Sequence, residues 1–179
     1  MESDELRGYL IREFRTWFDE QRELYLPKSR GLSGKEKSRF DGYFDERILD
    51  STRIVRVDRV LNPDFYSDLK KSGIPVPMDF TQAIGFTIMD CLLIRKELFK
   101  NPSSFISTLF HELVHVVQFD LFGPTRMIEL YTNSLIQGEY QYHAVPFERQ
   151  AFTLTDKFAM EESSFSVREI VERELKNIF

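Results

Sequence analysis

The stretch His111-Glu112-Leu113-Val114-His115 sets two imidazoles four residues apart, with a carboxylate beside the first. On a helix, residues i and i+4 lie one above the other, so both rings can reach a single metal ion. Glu112 is turned about 100° from His111. It would stand beside such a metal, not on it, where it could take a proton from a water. H-E-x-x-H is the motif in which helical histidines hold zinc and the glutamate is a general base. Zinc brings the pKa of its water down toward neutrality. Two imidazoles buried together without a metal would leave unmet polar groups, at a cost of several kcal/mol.

A catalytic zinc needs a third protein ligand and one open position. The candidates after the motif are His143, Glu129, Glu139, Glu148 and Asp156. Glu129 falls on a following helix with an arginine nearby, and Glu139 follows the helix-ending Gly138. Glu148 is favoured. It lies two residues after Pro146, in the first turn of a new helix, and Ala151 three positions on permits close packing against the motif helix. Acids also favour helix N-termini for dipole reasons alone.

"HELVHVVQ", then "LFG", Tyr131 and "YHAVPFERQA" together resemble the small gluzincin-type metallopeptidase domains called minigluzincins. They are also similar to uncharacterised bacterial zincin-like domains with a H-E-L-x-H-x-x-Q helix and a Y-x-x-x-P-x-E-x-x-A second motif. The resemblance covers about Ile84 to Phe158. It implies an α+β, zincin-like fold with a small mixed sheet, an edge strand bordering a cleft, an active-site helix and a glutamate helix. It implies Zn2+ held by His111, His115 and Glu148, with Glu112 as base and Tyr142 or His143 stabilising the oxyanion. The implied activity is that of a zinc metalloendopeptidase, with its peptide or protein substrate extended along the edge strand. The competing reading is a zincin-fold binding module with structural or vestigial zinc. Glu112 argues against it, because binding alone needs no base.

Several elements must position these groups. Asn101-Pro102 opens the motif helix and Gly123-Pro124 stops it. At 100° per residue, Ile106, Phe110, Leu113 and Val117 form its core face. Ser104, Ser107, Thr108, His111, His115 and Gln118 form a polar stripe, partly enclosed and lined for a ligand, with Glu112 at its edge. A second helix is expected over 125–137, a third from Pro146 to about Met160, and a last one from the Ser166–Glu169 capping box to about Ile178. Residues 52–60 read as a strand. Ala83–Leu98 reads as two strands turning at Asp90 or as one bulged strand. An amphipathic helix spans 3–26, ended with the help of Pro27. Residues 28–39 read as a solvated, mobile, basic loop. One domain is expected: a helical N-terminal extension over 1–50, a metallopeptidase core over 51–160, and a C-terminal helix over 161–179.

The 42% hydrophobic and 14% aromatic content, with 17 phenylalanines, suffices for a core. A net charge of −5 supplies no cationic field for nucleic acid. The acidic start and the lack of a long apolar run predict no signal peptide, no membrane span and a cytoplasmic location. The single cysteine, Cys91, reads as an inert core thiol.

Overall fold

The structure is a computed structural model that describes residues 3–160, 163–176 and 178–179. Helix α1 (Ser3–Tyr25) buries Leu10, Phe14 and Trp17 and gives way to a 3-10 turn containing Pro27. The basic segment after it is ordered, contrary to expectation. It forms strand β1 (Arg30–Gly31) and helix α2 (Gly34–Arg39). The Ser33 hydroxyl accepts from the Glu36 N–H, and the Glu36 carboxylate accepts from the Ser33 N–H. Arg30 donates to the same carboxylate at 2.7 Å. This reciprocal cap satisfies donors that a free loop would leave to water.

Helix α3 (Glu46–Ser51) leads into strand β2 (Arg53–Val57), and helix α4 (Tyr66–Lys71) follows. Strands β3 (Gly85–Ile88) and β4 (Cys91–Arg95) then make a hairpin. Met89 takes the left-handed conformation (φ 59°) at its turn, so the two-strand alternative holds at Asp90. The Arg22 guanidinium donates to both Asp90 oxygens, at 2.9 and 3.0 Å, and ties α1 to that turn. The mixed sheet has the order β1-β2-β4-β3. β2 runs parallel to β4, and the other two pairings are antiparallel. Cys91 to Ile94 are at most 1% exposed, as suits a strand covered on both faces. Burial pushes the Cys91 thiol up to about 11, consistent with an inert core residue. β3 is a sheet edge.

Four helices complete the α+β fold: α5 (Pro102–Phe122), α6 (Pro124–Gln137), α7 (Pro146–Ala159) and α8 (Val167–Leu175). Gly123, at φ 74°, makes the break between α5 and α6. α8 opens with the Ser166 hydroxyl accepting from the Glu169 N–H and ends before Ile178; Asn177 lies outside the described residues. Arg168 of α8 and Arg47 of α3 converge on Asp120 near the end of α5. Every residue from Thr108 to Phe119 is buried, while Ile106 is only half-buried. α5 is therefore central, enclosed on its polar side as well as on its core face. Among the described residues, no helix is long and apolar enough to cross a membrane.

Candidate metal centre

α5 begins where the Asn101 side chain accepts from the Ser104 N–H and Pro102 occupies the first turn. Nine residues on, the helix delivers His111, Glu112 and His115, which are 9%, 5% and 7% exposed. α7 begins at Pro146, and Glu148 in its first turn is 4% exposed. Ala151 is fully buried.

The three predicted ligands converge. The Nε2 atoms of His111 and His115 lie 3.2 Å apart. Glu148 Oε2 is 3.4 Å from the first and 3.3 Å from the second. Bonds of about 2.0–2.1 Å at tetrahedral angles put ligand atoms about 3.3–3.4 Å from one another. The three atoms thus mark one face of a tetrahedron of the size a small divalent ion requires. His111, His115 and Glu148 can hold a metal ion.

Each of these groups is braced. His115 Nδ1 lies 2.7 Å from Gln118 Oε1. An amide oxygen can only accept, so the ring's Nδ1 is the donor, and in the neutral ring Nε2 keeps the lone pair that a metal would take. Burial disfavours charge on His115, but the Glu148 carboxylate outweighs it and raises the imidazole pKa to about 9. Burial likewise works against ionised Glu148, yet His115 and His111 hold it well below the usual carboxylate range. Tyr131 donates to Glu148 Oε1 at 2.8 Å, and Tyr142 donates to Oε2. Burial, then the Glu148 charge, pushes both phenols far up, so they remain donors.

Glu112 is positioned from the sheet edge. The Thr87 hydroxyl of β3 lies 2.7 Å from Glu112 Oε2 and 3.1 Å from the Glu112 carbonyl oxygen. The other carboxylate oxygen occupies the space above Gly85. A Cβ there would fall 2.4 Å from Glu112 Oε1 and 2.8 Å from Thr108 Cγ2.

A cavity of about 750 Å3 opens beside the triad. β3 forms one wall through Gly85, Phe86 and Thr87, and Phe14 and Phe18 of α1 form another. The metal position is therefore reachable from a cleft bordered by an edge strand. Tyr142 lines that cleft. His143 does not: it is exposed, with its ring 5.4 Å from Tyr142 and 5.3 Å from Phe152. Of the two residues named for the oxyanion role, Tyr142 is the one whose hydroxyl touches the triad, at Glu148 Oε2. Glu129 and Glu139 are exposed and do not line the cleft, and Asp156 lines it without joining the triad. Gln118, read as lining the ligand stripe, is fully buried behind His115 and supports it. Thr87, Gly85 and Gln150 carried no signal in their own segments. Tyr131 stood in the quoted pattern without a role. No described protein family, curated protein or solved structure matches this chain.

Proposed function

We propose that the protein is a zinc-dependent metallopeptidase of the small gluzincin type, with a zincin-like fold. The observation that carries the reading is the tetrahedral-face spacing of His111 Nε2, His115 Nε2 and Glu148 Oε2 beside an open cleft. A structural zinc would be closed off by a fourth protein ligand, whereas a catalytic one keeps a position open to exogenous groups. When bound, zinc supplies Lewis-acid polarisation of water and of the substrate carbonyl. The chain's own groups do the rest. Glu112, steadied by Thr87, accepts a proton from the attacking water and passes it to the leaving amine. Tyr142 leaves Glu148 Oε2 to donate to the developing oxyanion, while Tyr131 keeps its bond to Glu148 Oε1. The substrate peptide extends along β3 and adds to the sheet edge through main-chain hydrogen bonds.

The deciding experiment compares wild type with Glu112→Gln for zinc content and for cleavage of broad peptide libraries. Both proteins should carry one zinc per chain, and hydrolysis should fall by about 10²–10⁴-fold in the variant. Equal rates would remove Glu112 from the chemistry. Zinc in both with cleavage in neither would favour the binding module.

A further inference from the structure

We propose that Glu174, on α8, is a positioning residue of the metal centre that acts through Gln150 and Gln118 on His115. The proposal rests on the reading of His115 as a metal ligand. The links are consecutive. Gln150 Nε2 donates to Glu174 Oε2 at 2.9 Å. Gln118 Nε2 donates to Gln150 Oε1 at 3.1 Å and to the Phe147 carbonyl at 3.1 Å. Gln118 Oε1 faces His115 Nδ1 at 2.7 Å. Gln118 is 0% and Gln150 6% exposed, so neither amide can turn to bulk water instead.

The two glutamines can each present either end of the amide. An ionised carboxylate can only accept. The Phe147 carbonyl, which likewise can only accept, orients Gln118, and Glu174 orients Gln150 to match it from the outside. Gln150 must turn its NH2 outward and its oxygen inward. Gln118 then offers its NH2 to Gln150 and its oxygen to His115. The imidazole proton is forced onto Nδ1, and the lone pair onto the nitrogen that faces His111 and Glu148. Arg173 approaches the other Glu174 oxygen at 3.6 Å and leaves Oε2 to Gln150. A donor in place of Glu174 would reverse Gln150 and set its NH2 against that of Gln118. Gln118 must then either keep an unpaired buried donor or turn over. Turning gives up the Phe147 bond and presents a donor to His115, which selects the Nε2–H tautomer that cannot ligate. α8 lies outside the stretch that resembles minigluzincins, so this control belongs to this chain's own C-terminal helix.

The test measures zinc affinity by competition with a chromophoric chelator, and the His115 tautomer by long-range 1H–15N NMR on metal-free protein at a pH above the raised imidazole pKa, where the ring is neutral. Wild type should show Nδ1–H. Glu174→Lys should weaken zinc binding by about tenfold or more and populate Nε2–H. Glu174→Gln, whose amide oxygen still accepts, should stay within about threefold. Glu172→Lys makes the same charge change on the same helix without touching the series, and should also stay within about threefold. Gln150→Leu cuts the middle link with no change of charge and should act in the direction of Glu174→Lys; it decides the matter if the lysine variant does not fold. Equal zinc affinities for Glu174→Lys and Glu172→Lys would overturn the proposal, as would an unchanged tautomer in Glu174→Lys. Failure of the wild type to bind zinc would overturn the ligand reading itself, a result distinct from either tautomer outcome.

Discussion

Gly85→Ala isolates the part the sheet edge plays in holding Glu112. The added Cβ would lie 2.4 Å from Glu112 Oε1, where ordinary contact begins at 3.4 Å. The carboxylate, or the strand beneath it, must therefore give way by about 1 Å. Thr108 Cγ2 at 2.8 Å closes the alternative of tilting the new methyl toward α5. Gly85 is not in the left-handed region, so its backbone accepts alanine and the clash is the whole effect. A misplacement of about 1 Å in a catalytic constellation can cost about 10²-fold in rate, or about 2.7 kcal/mol. The expected outcome is a kcat lower by that factor on a quenched-fluorescence peptide, with zinc content still one per chain because no ligand is touched. A kcat within about twofold of wild type would refute the packing argument. Loss of zinc would show that Gly85 supports the ligands and not the base.

Three further outcomes follow from the same geometry. Thr87→Val removes the hydroxyl hydrogen-bonded to Glu112 at little change in volume; it should lower kcat by about tenfold and leave zinc affinity intact, as read by steady-state kinetics and metal titration. Chelation should destabilise without unfolding: zinc at a thousandfold excess over Kd contributes about 4 kcal/mol, so a thermal melt with EDTA should fall by about 8–16 °C, and an unchanged melt would deny that a metal bridges α5 and α7. The metal-free protein should also respond to pH. His115 is raised from 6.5 to about 9, so its contribution is complete below about pH 6.5 and is lost as pH rises through about 9. Glu148 is held below 4.5, so its contribution is present above about pH 4.5 and is lost as pH falls further. Melting temperature without metal should therefore decline between pH 6.5 and 9, while zinc affinity climbs over the same interval because the metal displaces the imidazole proton; parallel trends would contradict the assignment.

What could be read in the sequence was what depends on spacing along one helix. His111, Glu112 and His115 follow from i, i+4 geometry, and Glu148 from a proline-led first turn. The braces could not be read that way. Thr87 and Gly85 meet Glu112 only because β3 closes the sheet beside α5, and nothing in "AIGFTI" marks that contact. Gln118 was visible on the wheel, but whether it faced a ligand or His115 depended on where α7 brought Phe147 and Gln150. Residues 28–39 carry a helix signal beneath their basic composition: Ser33 and Glu36 have the same three-residue spacing that marks the start of α8 at Ser166.

α8, which supplies Glu174, is the last helix described, while the ligands stand in the middle of the chain. Chains emerge from the ribosome N-terminus first, and early segments fold as they appear. α1, the sheet and α5 can therefore assemble while residue 174 is still inside the ribosome. Until it emerges, Gln150 lacks the acceptor that orients it, and Gln118 is held toward His115 by the Phe147 carbonyl alone. On the proposed reading, metal capture would be a late event in biogenesis. On the proposed function, reactivity would then arrive only after most of the chain's own surfaces had folded out of reach.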